Sequence, residues 1–323
     1  MDSHQILVKP KLGFSTSFRE AFKIVSHHSN FISLIIFFSF PLFASLLAHH
    51  TLLHPTFIQF LKLLSHNIIC RLSVATDCFL QQLPSINDIF EVTLSQSQWF
   101  LISTPLSTSV IFFLDILSTI STVSISAAFY GGNSQKGFKE MLVEVRKLVA
   151  LRLRGSLETS LYALLLASLT LLGLVALSTN MNLMPKSSFI FGPLFVVLLT
   201  KYIEWSAVWN MGIVITILDK NQGYIAIGVA AYLSRGSRKL GFSLMLVFFA
   251  LKVALGLPCL YALWNEGNCG VLGNVVSVSL SCVGNVVMWV VLTVYFYDCK
   301  RQFLEKKIDL ENNGKAVAVQ VQQ

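Results

Sequence analysis

The sequence predicts an all-α membrane protein, a polytopic bundle of six transmembrane helices. Of its 323 residues, 54% are hydrophobic and only 12% are charged, whereas soluble domains carry about 25% charged residues. The mean hydropathy is +0.68. This composition excludes an ordinary soluble globule and a disordered chain. Two further observations complete the prediction: six separate apolar stretches, and basic residues that fall almost entirely on one side of them.

The six apolar stretches are each long enough to cross a bilayer, for which about 20 mostly apolar residues suffice. They are residues 31–48, 99–130, 156–177, 189–218, 240–264 and 270–297. The first contains Pro41 and lacks a small-residue cleavage site, so we expect it to be retained as a span. The predicted organisation is a single integral membrane domain over residues 1–323. It comprises a cytosolic segment 1–30, the bundle 31–297 with an outer loop 49–98, and a cytosolic tail 298–323.

The basic residues predict the orientation of the bundle, because Lys and Arg concentrate on the cytosolic side of a membrane. Residues 1–30, 131–155, 219–239 and 298–323 hold 19 of the 24 basic residues, and the segments on the opposite side hold 3. We therefore expect both termini in the cytosol. The membrane is the plasma membrane or an endomembrane, and the sequence shows no signal that distinguishes the two.

The same basic residues make anionic lipids the expected partners, since polybasic segments beside a membrane attract anionic headgroups. The residues concerned are Arg146, Lys147, Arg152, Arg154, Arg235, Arg238 and Lys239. Nucleic acid is not an expected partner, because the positive charge is divided among short segments. Protein partners are left open.

Three cytosolic segments begin alike, which predicts an internal repeat. They start at Gly13-Phe14, Gly137-Phe138 and Gly223-Tyr224, and each precedes a pair of spans. Apolar residues of the second segment recur at the spacing of an amphipathic helix, and basic residues share the segments, as in a helix that lies in the headgroup plane. The predicted unit is an interfacial amphipathic helix followed by a helical hairpin, present three times. The alternative is that any series of hairpins with basic cytosolic loops looks similar.

Four ionisable residues fall deep within the predicted spans, where their cost makes them functional candidates. Asp115, Lys201, Glu204 and Lys252 all lie near the midplane by their position in the spans. Lys201 and Glu204 are three residues apart and can pair on one helix face, and Asp115 can pair with Lys252. Together with Asn210 they form a candidate polar network. It is either a charge network that fixes the bundle or a path for a solute or protons.

Span six carries small and polar residues at helical spacing, which predicts close helix packing. Gly273, Ser277 and Ser281 are four residues apart, and Asn274 and Asn285 lie on one face. Packing inside the bundle is the first interpretation of this pattern, and dimerisation is the second.

Two segments of the sequence are distinctive: YIEWSAVWNMGIVITILDKNQGYIAIGVAAYLSRGSRKLG at residues 202–241 and TVYFYDCKR at residues 293–301. The first contains Val208-Trp209-Asn210 and ends in a small, basic turn. These segments resemble a plant family of uncharacterised six-span transmembrane proteins, some of which carry an automatic name as polyadenylate-binding-protein-binding proteins. The resemblance implies a fold and a membrane location, and no reaction. Asp219 stands where Glu is common in that family.

The sequence contains no recognisable catalytic constellation. It has no Walker A, GxSxG or HExxH motif, and we expect no enzyme activity and no catalytic, cofactor-binding or metal-binding residues. Cys70, Cys78 and Cys269 are predicted to lie outside, where disulfides form, but three thiols leave the pairing open. The leading function is a non-enzymatic membrane protein that organises lipids or partner proteins. The alternative is a small-solute transporter or channel that uses the intramembrane charges.

Overall fold

The computed structural model describes residues 13–27, 29–52, 86–131, 138–183, 188–219, 221–264 and 271–321. In these ranges the chain is helical and has no β-strand, which confirms the all-α prediction. The helices are α1 (Phe14–His27), α2 (Ser29–Leu52), α3 (Ile86–Tyr130), α4 (Phe138–Leu183), α5 (Ser188–Leu218), α6 (Gly223–Leu233), α7 (Arg238–Trp264) and α8 (Val271–Val321). A short 3-10 turn, Ser234–Gly236, joins α6 to α7.

Six helices in the described part of the chain are long and apolar enough to cross a membrane. They contain the candidate spans Ile32–Thr51, Ile102–Tyr130, Lys139–Met181, Phe189–Leu218, Arg238–Pro258 and Leu272–Lys306. These agree in number and order with the six stretches predicted from apolar length. The protein is therefore membrane-embedded and multi-pass.

The helix α4 corrects the prediction for the second repeat. It runs without interruption from Phe138 to Leu183 and contains no proline. Glycine costs about 1 kcal/mol relative to alanine inside a helix, yet the helix passes through Gly155, which is buried against the side chain of Gln222. Residues 138–155 thus belong to the same continuous helix as the apolar run that follows, and the prediction that they form a separate helix is wrong.

The first and third segments form separate short helices. At the start of α1 the Gly13 carbonyl accepts hydrogen bonds from the Ser17 backbone N–H (3.0 Å) and the Thr16 hydroxyl (2.8 Å). At the start of α6, Gly223 has a φ of 61°, which favours glycine, and its N–H donates to Thr159 Oγ1 at 2.9 Å. All three segments therefore begin helices, but the threefold repeat stays a prediction.

By its contacts the chain divides into two compact units. The first contains the described residues of Met1–Phe38, Ile116–Leu251 and Gly284–Gln323. Its core includes three helix segments buried on all sides: residues 118–126 of α3, 211–217 of α5 and 288–296 of α8. The α3 segment is rich in hydroxyls, and those of Ser121 and Ser126 donate to carbonyls four residues earlier, at 2.8 and 2.6 Å. These bonds satisfy the hydroxyl groups within the helix, so they can be buried.

The second unit contains the described residues of Ser39–Asp115 and Lys252–Val283. Here the Ser277 hydroxyl of α8 donates to the Leu255 carbonyl of α7 at 3.1 Å. In the neighbouring pattern, Gly273 is exposed, while Asn274 and Ser281 are half-buried. Ser277, one of the packing residues named from the sequence, thus forms a hydrogen bond to a neighbouring helix.

The C-terminal part of the chain continues the last helix. α8 extends through residue 298 to Val321, and the Asp298 and Arg301 side chains are buried. Several predictions concern residues outside the described ranges, and the structure does not test them: the outer basic residues Lys62, Arg71 and Lys186, and the cysteines Cys70, Cys78 and Cys269.

Candidate functional site

The charged residues of α5 form the centre of the candidate site. Lys201 Nζ donates to Glu204 Oε2 at 2.7 Å, at the spacing of three residues that the sequence predicted. The other carboxylate oxygen, Glu204 Oε1, lies 4.0 Å from Arg238 Nη1. The Lys201 and Arg238 side chains are 52% and 54% exposed, whereas Glu204 is 24% exposed. One half-buried acid therefore lies between two exposed bases.

The contact with Arg238 disagrees with a midplane position for this pair. Arg238 is the first residue of α7 and of its apolar span. At 1.5 Å per residue, about 24 Å of helix separate the start of α5 from Glu204, out of a hydrocarbon thickness of about 30 Å. Glu204 thus lies at the level where α7 begins. Position within a linear span could not reveal this, because α5 is longer than the bilayer core requires.

The other two predicted charges, Asp115 and Lys252, belong to the second unit. Asp115 is half-buried and lies close enough to Cys282 to interact electrostatically with it. Lys252 is exposed on α7. Within the part of the chain that the structure describes, no ion pair connects Asp115 with Lys252. The network of all four charges stays a prediction.

Asn210 bonds between helices, as its place in α5 predicted. Its Nδ2 lies 3.2 Å from the Ser206 hydroxyl on the same helix and 3.6 Å from the Met245 sulfur of α7. Ser206 also contacts the Met245 sulfur, at 3.7 Å. These contacts tie α5 to α7 one to two helical turns from Glu204.

A cavity of about 370 Å³ lies beside the Glu204 carboxylate. Its wall includes Trp205 and Trp209, whose ring centroids are 6.3 Å apart. Trp209 is 7% exposed and forms an inner wall, whereas Trp205 is 45% exposed. The remaining walls come from α4, the α6–α7 turn and α8. The cavity is thus mostly apolar and aromatic, with its charged groups on one side.

Sequence reasoning missed a buried ion pair on α8. Arg301 Nη2 bonds Asp298 Oδ1, and both residues are at most 2% exposed. Gln302 donates to the second Asp298 oxygen at 2.8 Å, and Ser237 at the start of α7 donates to Gln302 at 3.0 Å. The prediction placed these residues in the cytosolic tail 298–323, without a pairing between them. The available signal was the pair of opposite charges three residues apart, directly after an apolar span.

The two segments that carry the family resemblance meet in the first unit. Lys300 Nζ donates to Asp219 Oδ1 at 3.1 Å, which joins the middle of α8 to the residue that follows α5. The Tyr295 hydroxyl donates to the Ser237 carbonyl at 3.1 Å. Residues 202–241 and 293–301 thus form one packed region.

The predicted lipid-binding residues are accessible. Arg146, Lys147, Arg154, Arg235, Arg238 and Lys239 are exposed, and Arg152 is half-buried. Apart from Arg238, none of them forms an ion pair with an acid among the described residues. Arg235 instead lies over the Tyr232 ring, 5.6 Å from its centroid. We call these seven residues the basic surface.

Comparison with known proteins assigns the chain to a family. The model of a domain of unknown function, DUF8558, matches residues 1–316, which is nearly the full length. The chain belongs to the DUF8558 family. Neither the curated proteins nor the solved structures give a match. DUF8558 membership agrees with the expectation of an uncharacterised family, whereas the plant origin implied by the resemblance stays a prediction.

Proposed function

We propose that this chain is a non-catalytic membrane organiser that holds anionic lipids at its basic surface. The observation that supports the proposal is the exposure of six basic side chains, five of which have no acidic partner among the described residues. A basic side chain near an anionic leaflet contributes about 1 kcal/mol of attraction. Several such side chains together favour a shell of anionic lipid around the cytosolic face.

The length of α4 supports the same role. Its 46 residues give about 69 Å of helix, more than twice the hydrocarbon thickness of about 30 Å. The first turns of α4 therefore extend past the bilayer core. They present Arg146 and Lys147 beside exposed apolar side chains such as Val143 and Leu151. This mixture of apolar and basic side chains suits the headgroup region.

The absence of enzyme activity belongs to the proposal as well. It is supported by the sequence, which contains none of the common catalytic motifs, and by the basic surface, whose exposed residues suit binding rather than chemistry. Partner proteins that carry acidic segments suit the same surface, but the lipid is the partner that a membrane-embedded chain always meets.

The test compares two triple variants that remove the same charge. Arg146→Gln/Lys147→Gln/Arg154→Gln alters the basic surface, and Lys62→Gln/Arg71→Gln/Lys186→Gln alters the residues predicted on the opposite side. The purified full chain is titrated with phosphatidylserine, and the rise in melting temperature is measured at low and at high salt. We expect phosphatidylserine to raise the melting temperature, and high salt to weaken that rise. The first triple variant should show at most half of the rise, and the second triple variant should show all of it.

Equal responses of the two triples, or an equal rise with phosphatidylcholine, would contradict the proposal. The alternative function, a small-solute transporter, has its own measurement in sealed liposomes. Solute or proton flux that is lost in Lys201→Met would favour transport over lipid organisation.

A further inference from the structure

The cavity beside Glu204 has the features of a binding site for one lipid. We propose that it holds a single anionic phospholipid, with the phosphate at Arg238 and the first part of an acyl chain against Trp205 and Leu169. Its volume of about 370 Å³ falls within the range of about 300–1,000 Å³ that small-molecule sites occupy. This inference deepens the proposed function and rests on it, since it assigns one defined site on the same side of the protein.

The charges at the cavity favour an anionic headgroup. Two bases and one acid leave a net positive charge at this point. Lys201 uses one of its three N–H donors on Glu204, and the guanidinium of Arg238 has five. Lys201 compensates the Glu204 carboxylate at 2.7 Å, whereas Arg238 lies 4.0 Å from it and is 54% exposed, so the donors of Arg238 remain for phosphate oxygens. Glu204 is a positioning residue, because each of its oxygens faces one of the two bases.

The apolar walls favour an acyl chain next to that headgroup. Trp209 is buried and closes the inner side, while Trp205 is 45% exposed and Leu169 of α4 is 58% exposed. The cavity is therefore open toward the side on which apolar residues of α4 face outward. Tryptophan rings favour the boundary between headgroups and hydrocarbon. A chain that enters along Leu169 contacts the exposed ring of Trp205.

The depth of the site agrees with a lipid from the bilayer. Arg238 begins the apolar span of α7, so its guanidinium lies where headgroups end and hydrocarbon begins. The phosphate of a membrane lipid lies at that level, and its acyl chains extend from there into the core. A soluble anion would match the charges but would leave the aromatic walls without a partner.

The experiment measures quenching of tryptophan fluorescence in the purified full chain by phosphatidylglycerol with brominated acyl chains. Phosphatidylcholine with the same chains is the comparison probe. We expect saturable quenching with an affinity about tenfold higher for phosphatidylglycerol, which corresponds to one charge-assisted contact. Trp205→Phe is expected to remove most of the saturable signal.

Two matched pairs of variants locate the site. Arg238→Gln is expected to weaken binding about tenfold. Lys23→Gln removes the same charge from an exposed residue of α1 that belongs neither to the cavity wall nor to the basic surface, and it is expected to leave the affinity unchanged. Leu169 lines the cavity, and Leu169→Asn is expected to weaken binding. Leu172→Asn lies one turn further along α4, at a residue that is 67% exposed and outside the cavity wall, and is expected to bind as the parent does.

The cavity site would be overturned if the arginine variant bound phosphatidylglycerol as tightly as the lysine variant. It would also be overturned if the two leucine variants bound with equal affinity. Equal quenching by the two lipids would overturn it too, because the cavity would then be a groove for any surrounding lipid. The Arg146→Gln/Lys147→Gln/Arg154→Gln variant separates this failure from that of the proposed function. It is expected to keep the saturable quenching while losing the salt-sensitive stabilisation.

Discussion

Asp298 and Arg301 are charged residues that the fold removes almost completely from solvent. Removing two ions from water costs several kcal/mol each, and their attraction offsets this only when further hydrogen bonds complete the arrangement. Gln302 supplies one of those bonds, and Ser237 holds Gln302 in place. The pair therefore makes the position of α8 depend on the start of α7, two elements that are distant in sequence.

Breaking this ion pair is expected to destabilise the protein strongly. Asp298→Asn removes the buried counter-charge of Arg301 and leaves it the half-exposed Glu305, whose Oε1 lies 3.4 Å from Arg301 Nε, at a cost toward the lower end of about 3–5 kcal/mol. The control is Lys300→Gln, which breaks an ion pair with Asp219 whose side chains are 35% and 33% exposed. That change is expected to cost less than about 1 kcal/mol. Unfolding in detergent reports both, and equal losses of stability would contradict the role given to the buried pair.

At this scale the sequence predicted local pairs and missed distant ones. The contact between Lys201 and Glu204 follows from helical spacing alone. The approach of Arg238 to Glu204 depends on how α5 and α7 pack, and no spacing along the chain contains that information. For the same reason the candidate site was predicted in part: the bases and the acid were named, but the cavity that unites them was not.

Between helices, glycines mark where two backbones come close. A Cβ added at Gly212 of α5 would lie 3.1 Å from Ile227 Cγ1 and 3.3 Å from Ile227 Cα, on α6. The second of these atoms is backbone, which cannot move aside by changing a rotamer. The contact between α5 and α6 therefore requires glycine, and it brings the small buried residues Ala226 and Ala230 to the interior.

A pair of glycine variants tests this contact. Gly212→Ala is expected to lower stability by about 1–3 kcal/mol, because the added methyl group overpacks the contact. Gly228→Ala lies on α6 with no atom within 4 Å of the added Cβ. It is expected to raise stability by up to about 1 kcal/mol, through the higher helix propensity of alanine. The melting temperatures of both variants and the parent are measured in the same detergent. If both variants shift the melting temperature in the same direction, the packing described is contradicted.

The elements themselves were the most predictable level of the structure. An apolar run of about 20 residues is sufficient to predict a span, and all six were found in order. What failed was the prediction of a break between residues 138–155 and the span that follows. The basic residues that precede the apolar run resembled a helix boundary. The helix nevertheless continues through Gly155, which packs against Gln222, and this tertiary contact cannot be read from the sequence.

For the molecule as a whole, orientation decides which surface meets which leaflet. The 19 to 3 distribution of basic residues predicts that both termini and the basic surface share the cytosolic side. The proposals for lipid binding depend on this, because anionic lipids are concentrated in the cytoplasmic leaflet.

Protease protection tests the orientation. One epitope tag follows Gln323, and another is inserted between residues 70 and 78 of the predicted outer loop. In sealed vesicles with the cytosolic face outward, we expect added protease to remove the C-terminal tag and to spare the inserted one. Detergent should then expose both tags. Protection of the C-terminal tag before detergent is added would reverse the assignment.

The uninterrupted course of α4 has a mechanical consequence. A helix of about 69 Å without a proline acts as a stiff rod, because its backbone hydrogen bonds resist bending along the whole length. A tilt imposed at the headgroup end is therefore transmitted to Leu183 at the other end. A change in lateral pressure or curvature that moves one end of α4 would thus also move the other end, on the opposite side of the membrane.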